Sequence, residues 1–306
     1  MLRGELIYRD FFHFLLPGTE TVFVLLFKAF GERAWIPNVA LIVLGIVQTW
    51  LMVWISSALL KGWAAVLPGL LFLVAAYRNV LDATHHWFSS TVVLATIVVI
   101  FERRTPKRLA MAGVLCGVAA FFTSARGLAC MLGLTVFLVW EQLNDAGDSW
   151  LPLRKLTSLL LAFAATMTVI CGYLALKVGF GVLWESVVEF PVRYYPAGRA
   201  NTFRAYMSDW PGLPSWTHVP AAGAWILIYA LVPLAYVVFM VRYRRERFYR
   251  SAEPWKKLMM LNIVGCSLFC GVLSAPGFVR LCSVFPPRLS SPCGSLQQGA
   301  STAPSQ

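Results

Sequence analysis

Asp10 and Glu20 bracket His13 in a stretch that is otherwise mostly aromatic or apolar, Tyr8-Arg9-Asp10-Phe11-Phe12-His13-Phe14-Leu15-Leu16-Pro17-Gly18-Thr19-Glu20. A carboxylate or imidazole within hydrogen-bond reach of a hydroxyl can act as a general base, and partial desolvation beside a membrane raises a carboxylate's basicity. Asp10 and Glu20 are therefore the candidate catalytic residues, with Arg9 and His13 as candidate substrate-binding groups. The competing reading is a solvated loop carboxylate, or a cap on the following helix. Aromatic rings crowded beside apolar sequence suit the boundary between water and lipid.

Three further groups of residues could meet a substrate. Asp82-Ala83-Thr84-His85-His86-Trp87 stands at the mouth of an apolar run. Adjacent histidines point in different directions on a helix and chelate a metal poorly, so His85 and His86 suit hydrogen bonding to a polar or phosphorylated substrate, with Asp82 as a helix cap in the competing reading. Arg126 lies between two apolar runs, in what reads as a tight turn, Ser124-Ala125-Arg126-Gly127. An arginine at bilayer depth is costly without a partner, and its fork of donors fits phosphate oxygens; snorkelling to the interface is the alternative. The long segment from Val178 to Ala221 interleaves Trp184, Phe190, Tyr194, Tyr195 and Trp210 with Arg193, Arg199 and Arg204. That mixture suits sugar-ring stacking and phosphate pairing, and equally a segment resting on lipid headgroups.

The elements that must position these residues are membrane helices. The chain has 306 residues, is 58% hydrophobic and 13% charged, and has a mean hydropathy of +0.68, far from an ordinary soluble domain. At roughly 20 residues per crossing, about eight apolar stretches are candidate spans. They run Ile36 to Leu60, Trp63 to Tyr77, His86 to Phe101, Leu109 to Ser124, Gly127 to Trp140, Leu156 to Leu176, Ala222 to Val241 and Lys257 to Leu273. No alternating β pattern is visible, so the expected fold is all-α, a polytopic transmembrane helical bundle. Thr21 to Phe30 is too short to cross and reads as an interfacial helix stopped by Gly31.

Charge orients the bundle. Lys61, Arg103-Arg104 with Lys107-Arg108, Arg154-Lys155, and the run from Arg242 to Lys257 fall on alternate links, which the positive-inside rule makes cytoplasmic. The N-terminal segment, the Arg78–His85 link, the Arg126 turn and the Val178–Ala221 segment then share the outer side. The expected organisation is an outer loop with an interfacial helix over 1–35, a transmembrane bundle over 36–177, an outer loop over 178–221, further spans over 222–288, and a disordered tail over 289–306 rich in Ser, Gln, Gly and Pro.

The net charge of +12 does not point to nucleic acid, because the basic residues sit in short links rather than on one amphipathic face. Most of the seven cysteines lie inside apolar runs, none in a CxxC pair, which makes them small buried residues. The first residues do not form a cleavable signal peptide. Walker, dinucleotide, HExxH and DxD motifs are absent, so no cofactor is expected, although a divalent metal is not excluded.

In the order of its short motifs the chain resembles the GT-C superfamily of membrane glycosyltransferases, in particular the dolichyl-phosphate-mannose mannosyltransferase-like group with RgtA/B/C/D-like domains. The resemblance runs over about residues 3–288: Tyr8-Arg9-Asp10-Phe11-Phe12, Pro17-Gly18, Phe30-Gly31, His86-Trp87-Phe88-Ser89, Ala112-Gly113, Phe121-Phe122-Thr123, Arg126-Gly127, Ser274-Ala275-Pro276, Arg280 and Pro286-Pro287. It implies a protein of the bacterial inner membrane that moves a sugar from a polyprenyl-phosphate donor to a hydroxyl of a lipid or glycan acceptor on the extracytoplasmic face. By that analogy Asp10 is a base or an acceptor-positioning group, and Arg126, Arg193 and Arg199 meet the phosphate. Relative to the family pattern, the chain lacks the first span with its acidic loop and the spans after Pro287. A gene truncated at the start and shifted in frame at the end is the expectation, with a natural short variant as the alternative. The rival readings are an inactive fragment or assembly partner of such an enzyme, and a polytopic transporter or lipid flippase.

Overall fold

The computed structural model describes residues 1–2, 4–77, 81–144, 151–194, 230–231, 233–246 and 253–273. Among these residues the fold is all helical, with a single isolated bridge between Ile7 and Phe11. In chain order the helices are α1 (Gly18–Phe30), α2 (Trp35–Ser57), α3 (Leu67–Leu71), α4 (His85–Phe101), α5 (Pro106–Phe122), α6 (Ser124–Asn144), α7 (Leu151–Val178), α8 (Phe180–Trp184), α9 (233–245) and α10 (Glu253–Leu273). Three are long and apolar enough to cross a membrane: Trp35–Ser57, Ser124–Asn144 and Leu153–Val178.

Local chemistry sets the helix ends. Glu20 in the first turn of α1 and Lys28 in its last both complement the helix dipole. Gly31 ends α1 at φ 78°, a left-handed conformation that costs glycine little, as the sequence predicts for this stop. α5 starts on Pro106 at its first turn, with the Thr105 hydroxyl accepting from the Arg108 N–H. The stretch from Trp63 to Tyr77, expected as one span, is instead broken into a 3-10 turn (Gly62–Ala65), α3 and a π turn (Phe72–Ala76). Pro68 lies at the start of α3, where its missing N–H does no harm, and it prevents one helix from running through.

Glycines and small side chains bring the long helices together, the usual means of packing in lipid, where apolar burial gives no advantage over acyl chains. A Cβ on Gly113 of α5 would stand 2.3 Å from the Leu159 carbonyl oxygen of α7, and one on Gly117 would stand 2.7 Å from Thr166, so α5 and α7 run parallel. Gly127 of α6 meets the Ala120 backbone of α5 at 2.3 Å on the same measure, and Gly133 meets Val264 of α10 at 2.8 Å. α6 is thus antiparallel to α5, and α10 to α6. Trp87, Phe101, Leu109, Cys116, Cys130 and Phe137 fill the core between them.

This arrangement gives the bundle two ends. One gathers the end of α4, the starts of α5, α7 and α10, and the end of α6, and it carries the basic links. The other gathers the start of α4, the α5–α6 junction, the end of α7 and the N-terminal segment, whose Ile7, Tyr8 and Leu16 pack on Leu174 of α7 and Leu183 of α8.

Candidate functional site

The N-terminal segment forms a tight loop held by Asp10. The Asp10 carboxylate accepts from Arg9 at 2.9 and 3.0 Å and from the Leu6 backbone N–H at 2.6 Å, while the Asp10 N–H donates to the Leu6 carbonyl. The Arg9 bond first, and the Leu6 N–H second, hold this carboxyl below the usual carboxylate range, and the same pair raises Arg9. The rise in basicity expected from desolvation is therefore reversed at Asp10, which is open to solvent with its oxygens occupied.

Tyr8 adopts φ 71°, a left-handed conformation that strains a residue with a side chain, and buries its ring. Its hydroxyl donates to the Leu15 carbonyl at 2.5 Å. Burial, and then the charge of Glu20, drive its pKa far above the ordinary tyrosine value.

Glu20 has a different setting. Its carboxylate lies 3.5 Å from Nε2 of His13, whose ring is close to Tyr8, and among the described residues it is the one ionisable side chain lining an open cleft of about 440 Å³. Phe11, Phe23, Val24, Phe27, Pro37 and Ala83 supply apolar wall. The carboxylate–imidazole contact was not visible in the spacing, because Pro17 and Gly18 fold α1 back under the aromatic segment: the Gly18 Cα packs so tightly that a Cβ there would meet the Phe121 carbonyl at 2.7 Å.

From the cleft the structure passes directly to α4. Phe23 packs edge-on against Phe88 at 6.0 Å, and Phe88 stacks on Phe122 at 5.1 Å. Thr84, not Asp82, stands at the N-cap of α4. The rings of His85 and His86 lie 4.1 Å apart, centroid to centroid, at 47°, so the adjacent histidines lean together rather than pointing apart.

Arg126 is in the first turn of α6, not in a turn between spans, because Thr123 alone separates α5 from α6. It is 6% exposed. Its Nη1 donates to the His86 carbonyl at 2.5 Å, to Ser89 Oγ at 2.9 Å and to Ser90 Oγ at 3.1 Å, while the Thr123 hydroxyl reaches Ser89 Oγ at 3.2 Å. A buried guanidinium is costly unless its donors are met, and three oxygens from one turn of α4 meet it. Ser89, Ser90 and Thr123 were not candidates on type and spacing alone; the only signal was a run of hydroxyls inside an apolar helix.

The structure brings Asp10, Arg9, His13, Glu20, His85, His86 and Arg126 to one end of the bundle. Arg193 lies on the π-helical continuation of α8 (Glu185–Tyr194), exposed and paired with Glu189 at 2.6 Å. That segment reaches the N-terminal loop through Phe190, which contacts Phe12 at 4.8 Å and Phe14 at 5.5 Å. Arg199 lies outside the described residues, as do Ser274 to Pro276, Arg280, Pro286 and Pro287. Among the described residues no three His, Cys, Asp or Glu side chains are grouped to hold a metal ion. Comparison with protein-family models, with curated proteins and with solved structures finds no match for this chain.

Proposed function

We propose that the chain is a multi-pass protein of the bacterial inner membrane, with about eight spans in a GT-C-like arrangement. In this reading it transfers a sugar from a polyprenyl phosphate to a hydroxyl of a lipid or glycan acceptor on the extracytoplasmic side. The observation that carries the reading is Glu20, 3.5 Å from His13 Nε2, on the wall of an apolar cleft at the end of the bundle that also holds Arg126. A cleft with apolar walls and one carboxylate suits a substrate that is part lipid and part sugar.

In this mechanism Glu20, oriented by His13, takes the proton of the acceptor hydroxyl. The oxygen forms the new bond to the anomeric carbon as the bond to the phosphate oxygen breaks, and polyprenyl phosphate leaves with the electron pair. In this reading the donors of His85, His86 and Arg126, at the same end of the bundle, favour that departing phosphate, with Arg193 as a further candidate. Asp10 and Arg9 shape the loop that presents His13.

A second reading, an inactive assembly partner, draws support from the occupied oxygens of Asp10 and the engaged Nη1 of Arg126. The deciding experiment reconstitutes the protein in vesicles with a radiolabelled polyprenyl-phosphate hexose and a membrane-lipid extract. The transferase reading expects labelled product, a loss of roughly a hundredfold or more in Glu20→Gln, and a much smaller loss in Asp10→Asn. No product at any protein concentration favours the assembly partner. Movement of labelled lipid between leaflets without a covalent product favours a flippase.

A further inference from the structure

Two stretches far apart in the chain bring their aromatic rings together at the end of the bundle that holds the cleft. Phe190, on the π-helical segment, meets Phe12 edge-on at 4.8 Å and Phe14 at 5.5 Å, and it stacks on Tyr194 at 5.9 Å and 28°. The wide π turn sets residues four apart side by side, and it brings Glu189 to Arg193 in the same way. Burial does not account for the cluster: Phe12 is 62% exposed and Tyr194 59%.

The surroundings of these rings differ from those of a lipid-facing surface. The exposed side chains of α2, such as Ile42, Ile46 and Trp50, belong to a helix without a charged residue, as contact with acyl chains requires. The Phe12 cluster is bracketed by two exposed ion pairs. Arg9–Asp10, at 2.9 Å, ends two residues before Phe12, and Glu189–Arg193, at 2.6 Å, abuts Phe190 and Tyr194 in the chain. Hydrated charges keep these rings in water, where bare aromatic faces are unfavourable until something covers them. Phe11, next to Phe12 in the chain, belongs to the wall that carries Glu20, and the Phe14 ring lies 6.3 Å from that of His13, so the cluster adjoins the cleft.

We propose that this cluster is a glycan-binding platform, on which a hexose of an oligosaccharide acceptor packs its C–H face against Phe12 and Tyr194 while its hydroxyls meet Glu189 and Arg193. A pyranose ring is apolar on its faces and hydroxylated at its rim, which matches flat rings edged by charged donors and acceptors. A lipid chain would use the rings and leave the ion pairs unexplained; a free anion would use Arg193 and leave the rings unexplained. An oligosaccharide held here lies next to the Glu20 cleft, and Arg193 then serves the acceptor rather than the phosphate. The role as acceptor site rests on the transfer reading above; the binding itself does not.

The test is binding of the protein in nanodiscs to an array of soluble hexose oligosaccharides, with no donor lipid present. The wild type is expected to bind at least one of them, and Phe12→Leu/Tyr194→Leu to weaken that binding about tenfold or more, because leucine keeps apolar area without the flat face. Phe180→Leu/Trp184→Leu removes another exposed ring pair at the same end and is expected to bind as wild type. Equal loss there would show nonspecific adhesion to rings and overturn the platform, as would failure of the wild type to bind any oligosaccharide. Phe12→Trp in nanodiscs of brominated phosphatidylcholine gives a second readout: the emission added by that tryptophan is expected to escape quenching, and strong quenching would put the ring in lipid and reject the proposal. If circular dichroism shows that the leucine variant loses helix, Glu189→Gln/Arg193→Gln is read in its place, and an unchanged affinity there rejects the proposal. Transfer product without oligosaccharide binding would overturn the platform and leave the transferase reading standing; binding without product would do the reverse.

Discussion

At the basic end, Arg104, with 7% of its side chain exposed, is met by the carboxylates of Glu141 and Glu253. At the opposite end Arg126, 6% exposed, donates from Nη1 to a backbone carbonyl and two serine hydroxyls. Carboxylates cancel a guanidinium's charge, whereas carbonyl and hydroxyl oxygens orient it and leave the charge in place. The first arrangement is a cross-brace between the α4–α5 link, α6 and α10. The second sets a positive group beside two histidines. Burial of an arginine thus serves different ends, and the chemistry of the acceptors distinguishes them.

The comparison can be broken most directly at Glu141. Removing Glu141 leaves the buried Arg104 only its bond to the exposed Glu253, so Glu141→Ala is expected to cost about 3 kcal/mol, whereas Arg104→Met/Glu141→Leu should recover most of that loss. Thermal unfolding in detergent measures both, and equal melting of Glu141→Ala and wild type would show that the brace carries no load. Next comes Arg126→Ala, expected to cost about 2 kcal/mol through lost hydrogen bonds and buried hydroxyls left without a donor. If the positive charge matters to a substrate, Arg126→Gln will depress turnover far more than its melting temperature suggests. Parallel losses in turnover and stability would instead make both arginines structural.

Smaller effects sharpen the outer end. Tyr8→Phe removes the bond to the Leu15 carbonyl and is expected to cost about 1 kcal/mol, read as faster hydrogen exchange in the N-terminal segment. Smallest is the Asp10 clamp. Its carboxyl has a folded pKa below the usual value, so its stabilisation is present above about pH 4 and is lost as pH falls through the folded value. Protection of the Leu6 amide should fade across that window in wild type and be absent at every pH in Asp10→Ala. Protection that persists below pH 3 would show that Asp10 does not hold the loop.

Periodicity and composition made the helices legible, down to the Gly31 stop, and the alternation of basic links foretold a bundle with one cationic end. What failed to show in the sequence depended on contacts between distant segments. His13 meets Glu20 only because α1 folds back against Phe121, and Arg126 is buried only because a single residue joins α5 to α6. Trp63 to Tyr77 reads as a continuous apolar run, yet Pro68 divides it. The occupation of Asp10 by its own neighbour was local enough to be read from Arg9-Asp10, but the Leu6 N–H that completes the clamp required the loop.

Thr123 as the sole residue between α5 and α6 also bears on how the protein is made. In the bilayer setting proposed above, a one-residue link gives the insertion machinery no loop to translocate on its own. α5 and α6 must therefore enter together as a preformed hairpin, with Arg126 carried in already facing the start of α4. An inserted tag or glycosylation site at Thr123 would then disturb membrane integration itself.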